Sequence, residues 1–391
     1  MKEKASSFAA RRNLHCFWAL CAGLIALISA CSRPMAPPKP YVAFVAVHKD
    51  HSIAVASLAS FKLQRIIPLA YAPRRVIIRP HSHEVYVTSA SGQISIIRYP
   101  DFAVLHTIRA PAGKSGLTFS PGGRRAYGID GPGHSVFVLD CALRKIVRHF
   151  PLGESASGVA LTPDGKILLV DDRTTGQLLF LDPHDGRILG KVSAGQEPEQ
   201  MVILPHGRKA FVADSGDNTV AVLDVASRHV LSEIQVGGPP GLLALKPDGG
   251  ELFVFSPQNS VATILNASYN YVEQTLPTGE NPVAAVFTRD SRALYVANAG
   301  DGTVTTLVVQ SRRVIASTRI GVEPVSLALT PDERFIAIAD AGAASLSIMR
   351  ARVPALITTI PVGTDPVDVA IPDWLENVRP SRNGARPLPP H

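Results

Sequence analysis

A proline returns along this chain at an almost constant interval. Pro80, Pro121, Pro163, Pro205, Pro247, Pro331 and Pro372 mark steps of 41 or 42 residues, with Arg289 standing where one member is missing, and Pro38 extends the series backwards by another 42. A period of this length sustained through residues 41–372 means that one supersecondary unit is repeated, and it limits the fold more than any other property of the sequence. Each unit contains four short β-branched or apolar runs separated by turn residues. Leu294 to Ala297, Thr303 to Val308, Val314 to Ile320 and Val325 to Leu329 are one such set, the last leading into the turn Thr330-Pro331-Asp332-Glu333-Arg334. Four strands in about 42 residues is the size of one β-propeller blade.

Other repeat architectures fit less well. A parallel β-helix needs shorter coils, and two β-sandwiches would not keep one period throughout. With 30 Gly and 32 Pro, amphipathic helices are excluded. The expected class is all-β, a β-propeller of four-stranded blades. Eight units are counted: 41–80, 81–121, 122–163, 164–205, 206–247, 248–289, 290–331 and 332–372. A seven-bladed ring with one unit outside it is the alternative. In each unit the innermost strand comes last and belongs to the next blade. The final run Val367 to Ile371 must therefore return to pair with Val42 to Val47, closing the ring and leaving no inner sheet edge open.

The repeat text resembles a known family. Leu294-Tyr295-Val296-Ala297-Asn298-Ala299-Gly300-Asp301-Gly302-Thr303-Val304 and Phe211-Val212-Ala213-Asp214-Ser215-Gly216-Asp217-Asn218-Thr219-Val220 are similar to the YVTN β-propeller repeat. Val236-Gly237-Gly238-Pro239 and Val362-Gly363-Thr364-Asp365-Pro366 match its later part. The resemblance spans 41–372 and implies an exported or surface binding protein without assigned chemistry. Blade 1 departs most, carrying His48-Lys49-Asp50-His51 where later blades carry Gly and Asn.

The N-terminus reads as an export signal over 1–30: a basic start, an apolar run from Cys16 to Ile28, and small residues before Cys31. At about 13 residues the run is shorter than the roughly 20 needed to span a bilayer. Leu27-Ile28-Ser29-Ala30-Cys31 resembles the bacterial lipobox, which implies a lipidated Cys31 and membrane attachment through that lipid. Ser32 follows where Asp would direct inner-membrane retention, so the expected place is the outer membrane, on its periplasmic side or at the cell surface. A Pro-rich linker, 31–40, then leads into the propeller, and 373–391 reads as a disordered Pro/Arg-rich tail. Once the signal is removed and Cys31 is acylated, Cys141 is the one thiol left and no internal disulfide can form.

Charge excludes one class of partner. The chain carries +7 overall, but residues 41–372 carry only +1, so nucleic acid is not an expected ligand. The repeat sorts the remaining charges by face. The turn after each blade's second strand and the connection into the next blade share one rim, the top. Asp172, Arg173, Glu197, Asp214, Asp217, Asp301 and Asp340 lie there and are the candidate ligand-face residues. Lys114 and Glu154 share that rim. The opposite rim is basic, with Arg144, Arg208, Lys209, Arg312 and Arg334 among its turns. Asp and Asn also serve β-turns by bonding their own backbone, which is the competing account of the acidic rim.

Catalytic signals are sparse. Gly113-Lys114-Ser115 lacks the earlier P-loop glycine, Ile108 standing in its place, and leads into a strand. Asp214 to Asn218 resembles half a Ca²⁺ loop without its closing Glu. The inner strands Gly116 to Phe119, Gly158 to Leu161 and Ala284 to Phe287 are small and apolar. His48 and His51 share a top turn and are the weak metal candidates. No Trp lies inside the repeats, which argues against sugar-stacking and quinone-cofactor sites. The expectation is a propeller that folds without cofactor or metal and acts as a non-catalytic binding or assembly scaffold, taking a protein or small-molecule ligand on its top face. The alternatives are a lactonase-like hydrolase and a haem or redox accessory protein with His48 or His51 as axial ligand.

Lipidation is directly testable. A fatty-acid probe fed to cells is expected to label the wild-type chain and spare Cys31→Ser, and equal labelling of both would refute the lipobox reading.

Overall fold

The computed structural model describes residues 40–113, 116–153 and 156–374. The signal, Cys31, the linker before Pro40, Lys114, Glu154 and the tail after Trp374 lie outside them. Within them, 32 strands, numbered β1 to β32 in chain order, form eight four-stranded antiparallel sheets. The fold is an eight-bladed β-propeller.

Blade 1 is ordered β3-β2-β1-β32, from outer edge to channel, with β1 at Val42–Val47, β2 at Ser52–Ser57, β3 at Lys62–Pro68 and β32 at Pro366–Ala370. The burial of each strand follows from its place. β1 and β2 are covered on both faces by neighbouring blades, so they read as nearly unbroken apolar runs, VAFVAV and SIAVAS. Successive side chains point to opposite faces. Val45 accordingly joins the core shared with Phe335 and Ile348 of blade 8, while Phe44 joins that shared with Val85 and Val87 of blade 2. β3 is exposed at every position but Ile67. Each blade also has a register shift between its third and fourth strands at the same repeat position, for example Val55/Ala56, Val222/Leu223 and Ile348/Met349. A bulge there adds local twist to the outer edge of every blade.

The ring closes as the repeat requires. β32 pairs antiparallel with β1, placing Val45 opposite Val369 and Phe44 opposite Ala370. Asp368 reinforces the seam. Its carboxylate accepts the Val76 N–H at 2.9 Å from β4 (Arg75–Ile78) and the Ser326 hydroxyl at 2.9 Å from β28 (Pro324–Leu329). One side chain therefore ties the inner strands of blades 8, 1 and 2. The packed chain runs two residues past Pro372. Trp374 is only 7% exposed, with its ring 4.8 Å from Tyr99 and 5.4 Å from His83.

Deleting residues 364–391 removes β32 and leaves β1 with a bare apolar edge. That truncation is expected to aggregate or lose cooperative unfolding, whereas deleting 376–391, which keeps Trp374, should leave the thermal melt unchanged. A soluble, cooperatively melting long truncation would contradict closure through this pair.

Candidate ligand site at the channel mouth

The top rim is built on a repeated device. Asp130, Asp172, Asp214, Ser256, Asn298 and Asp340 recur every 42 residues at the end of the second strand of blades 3 to 8. Asp172 Oδ1 accepts the N–H groups of Thr174 and Thr175 at 2.8 and 3.2 Å. Asp214 accepts three N–H groups, from Glu197 at 2.8 Å, Gln196 at 3.0 Å and Gly216 at 3.1 Å. The connection that enters this blade, 194–197, crosses close above it, which is why a glycine stands there. A Cβ at Gly195, whose φ is +112°, would lie 1.8 Å from Asp214 Oδ2.

The candidate ligand-face residues thus separate into two groups. Asp172, Asp214 and Asp340 are fully buried; Asp172 and Asp214 accept N–H groups of their own turns, and Asp340 accepts the Ser347 hydroxyl of the paired strand. Asp301 is half-buried, accepting N–H groups from Thr303 and Glu280 at 3.1 Å. Arg173, Glu197 and Asp217 are exposed. Partial desolvation and the Asp214 carboxyl beside it push the Asp217 carboxyl above the usual range. His51 is exposed in the left-handed region at φ +50°, and His48 has Nδ1 3.0 Å from the carbonyl oxygen of Pro73. Among the described residues no group of three or more His, Cys, Asp or Glu side chains is gathered as a metal site would be. On the opposite rim, basic side chains form ion pairs between neighbouring blades: Arg144 with Glu84 at 3.0 Å, and Arg312 with Glu251 and Glu273. Cys141 is buried, and burial pushes its thiol pKa up.

The inner strands are more polar than the sequence expectation allowed. That expectation rested on blades 3, 4 and 7. Blade 2 opens with Arg75, blade 5 carries Glu199 and Gln200 on β16 (Pro198–Ile203), blade 8 has Ser326 and blade 1 has Asp368. Apart from the buried Asp368, these residues and Arg74 ring the channel mouth. A cavity of about 750 Å³ there is lined by Arg74, Arg75, Arg173, Glu199, Gln200 and Ser326, among others. A cavity of about 540 Å³ beside it shares Arg74, Arg75, Glu199 and Gln200 and adds an apolar floor from Leu117, Val159 and Met201. Arg173 bridges Glu197 and Glu199, each at 2.9 Å, and Gln200 Oε1 accepts the Leu243 N–H at 2.8 Å. The mouth can therefore receive an anion and seat an apolar body beneath it. The same repeat position that gives Asp368 and Ser326 gives Gln200, so the period itself was the signal for these residues.

No family profile matches the chain, and no curated protein matches it. Solved structures do. The dihydro-heme d1 dehydrogenase NirN, in complex with DHE, aligns at a TM-score of 0.74 and 16% identity, over 87% of this chain and 77% of its own. The hydrazine synthase of Kuenenia stuttgartiensis aligns at 0.58 and 19% identity, over 70% of this chain and 94% of its own. A functionally unknown protein from Desulfotomaculum acetoxidans aligns at 0.56 and 17% identity, over 84% and 98%. At these identities the likeness is one of fold.

Asp340 offers a stability test. Burial pushes its carboxyl up to about 6 from 3.8, and the Ser347 hydroxyl, which donates to Oδ2, offsets only part of that. Between these values the folded protein keeps a proton that the unfolded chain has released, so this group's contribution to stability falls as pH rises from about 4 to about 6 and is then constant. Asp340→Asn, which copies Asn298 one blade earlier, removes the effect. Relative to wild type it is expected to gain on the order of 2 kcal/mol between about pH 4 and about pH 7 in denaturant melts. A difference that does not change with pH would contradict the assignment.

Proposed function

We propose that the protein is a lipid-anchored propeller of the cell envelope that binds a small-molecule ligand at its top channel mouth and performs no chemistry on it. The observation that carries this reading is the pair of adjoining cavities over the channel, polar at the rim and apolar at the floor. Among the described residues, neither is lined by a histidine or a cysteine. The ionic groups among those residues are arginines and a glutamate, and Arg173 is already engaged with carboxylates. That arrangement suits recognition more than acid–base or metal-assisted hydrolysis, so a lactonase-like activity is the weaker reading.

A haem-related ligand is a second reading, favoured by two observations. The neighbour that covers 87% of this chain is a dihydro-heme d1 dehydrogenase. His48, with Nδ1–H donating to the Pro73 carbonyl, would be held with Nε2 free to ligate iron. His48 would then supply the axial nitrogen, and Arg74, next in the chain to Pro73, lines the mouth.

Gly116 provides the test. A Cβ there meets nothing within 4 Å, so the side chain of Gly116→Trp starts in open space at the wall of the smaller cavity. Protein purified from envelopes and denatured is expected to release a bound small molecule, read by mass spectrometry, that Gly116→Trp lacks at an unchanged melt. Equal cargo in both, or none in the wild type, would reject the mouth as a binding site. A visible absorbance band lost in His48→Ala would support the haem reading, and colourless protein that still carries a ligand would exclude it.

A further inference from the structure

Arginines 74 and 75 are exceptions to the repeat that contains them. The positions equivalent to Arg75 hold Gly116, Gly158, Gln200, Leu242, Ala284, Ser326 and Asp368, and those equivalent to Arg74 include Ser157, Glu199, Gly241, Val283, Val325 and Val367. Blade packing at this level is thus satisfied by small, apolar, neutral or acidic side chains, none of them a cation. It does not require two adjacent cations, which repel each other and cost conformational entropy when ordered.

The two arginines also lack adequate partners. Arg74 is exposed, and among the described residues its guanidinium makes no hydrogen bond or ion pair. Arg75 has a side chain 61% exposed and lies 3.7 Å from Asp368, beyond hydrogen-bond distance. Each Asp368 oxygen already accepts one hydrogen bond, from the Val76 N–H or the Ser326 hydroxyl, and Arg75 makes only a long ion pair with it. Most of the ten N–H donors of these two side chains, five to each guanidinium, are free to meet a ligand. Arg173 differs, being neutralised by Glu197 and Glu199.

We propose that the ligand of the channel mouth is an organic polycarboxylate with an apolar body, its carboxylates received by Arg74 and Arg75 and its body lying on Leu117, Val159 and Met201. The inference rests on the binding role given to the mouth above and names the chemistry of what it binds. Planar forked donors match carboxylate geometry, and a cavity of about 750 Å³ beside one of about 540 Å³ accommodates more than a bare inorganic anion. Arg173 is a third contact, reached when a ligand carboxylate displaces Glu199 from it.

Calorimetric titration of the purified protein with benzene-1,2,4,5-tetracarboxylate, with inorganic phosphate in parallel, tests this. The tetracarboxylate is expected to bind more tightly than phosphate and to weaken with ionic strength. It should lose about tenfold or more in affinity in Arg74→Gln and in Arg75→Gln. Glu199→Gln, which removes one of the two carboxylates on Arg173 and leaves Glu197, is expected to tighten it. A purely structural role for these residues predicts no such opposite pair of effects. Arg74→Gln has no partner to lose and serves as the fold-neutral variant, checked by its melt. Binding that ignores Arg74→Gln and salt, or phosphate binding as tight as the tetracarboxylate, would overturn the proposal. If Gly116→Trp removes the native cargo while these arginine effects are absent, the mouth binds a ligand of another class and only this inference fails. If Gly116→Trp changes nothing, the binding reading falls first.

Discussion

Everything in this molecule depends on β1 and β32 finding each other. A single blade is a twisted four-stranded sheet with two apolar faces, and it cannot bury either face alone. Val45 needs blade 8 and Phe44 needs blade 2. Only a closed ring gives every blade two neighbours, and the last pairing joins segments about 320 residues apart in sequence. The seam is accordingly specified twice. Backbone pairing sets its register, and Asp368 adds hydrogen bonds to the inner strands on both sides. A buried carboxylate is tolerated there because each oxygen has a donor, although burial still holds its pKa above the usual range.

The repeat also separates structural residues from functional ones. Where a polar side chain recurs every 42 residues and spends its bonds within its own rim, its role is to hold the turn. Asp172 and Asp214 each accept the N–H two residues on, and Asn298 at the same position donates instead to the Thr303 and Thr305 hydroxyls at 3.0 and 2.9 Å. Where a side chain breaks the pattern and gains no partner, the fold gives no reason for it. Arg74 meets that second description, and Arg75 departs from it only by its long ion pair with Asp368. Part of the acidity of the top rim is therefore internal to the turns, and Arg74 and Arg75 stand at the channel mouth.

The architecture was legible because each blade announces itself locally. Prolines, Asp-Gly turns and β-branched runs recur with the period, and the closing strand follows from counting. The site was less legible for two physical reasons. A surface-seeming Asp in a turn does not reveal whether backbone N–H groups fold over it, so Asp172, Asp214 and Asp340 read as ligand-face residues although they are fully buried. Inner strands are short, and their channel-facing character depends on register, so three apolar examples concealed Arg75, Glu199, Gln200 and Asp368 in the others. Cys31 and the membrane attachment it implies lie in sequence that the structure does not describe, and that expectation stands on the lipobox resemblance.

Arg75 and Asp368 place the ligand site and the closing seam side by side, which raises the question of whether occupying one weakens the other. The geometry separates them. Asp368 spends its two oxygens on the Val76 N–H and the Ser326 hydroxyl, at hydrogen-bond distance, and reaches Arg75 only at 3.7 Å. An anion that turns the Arg75 guanidinium toward the mouth therefore removes a long ion pair, one partner of which is well solvated, and leaves both seam hydrogen bonds in place. Such an ion pair is worth at most about 1 kcal/mol. A bidentate carboxylate contact exceeds that, so the mouth can fill without loosening the ring that forms it.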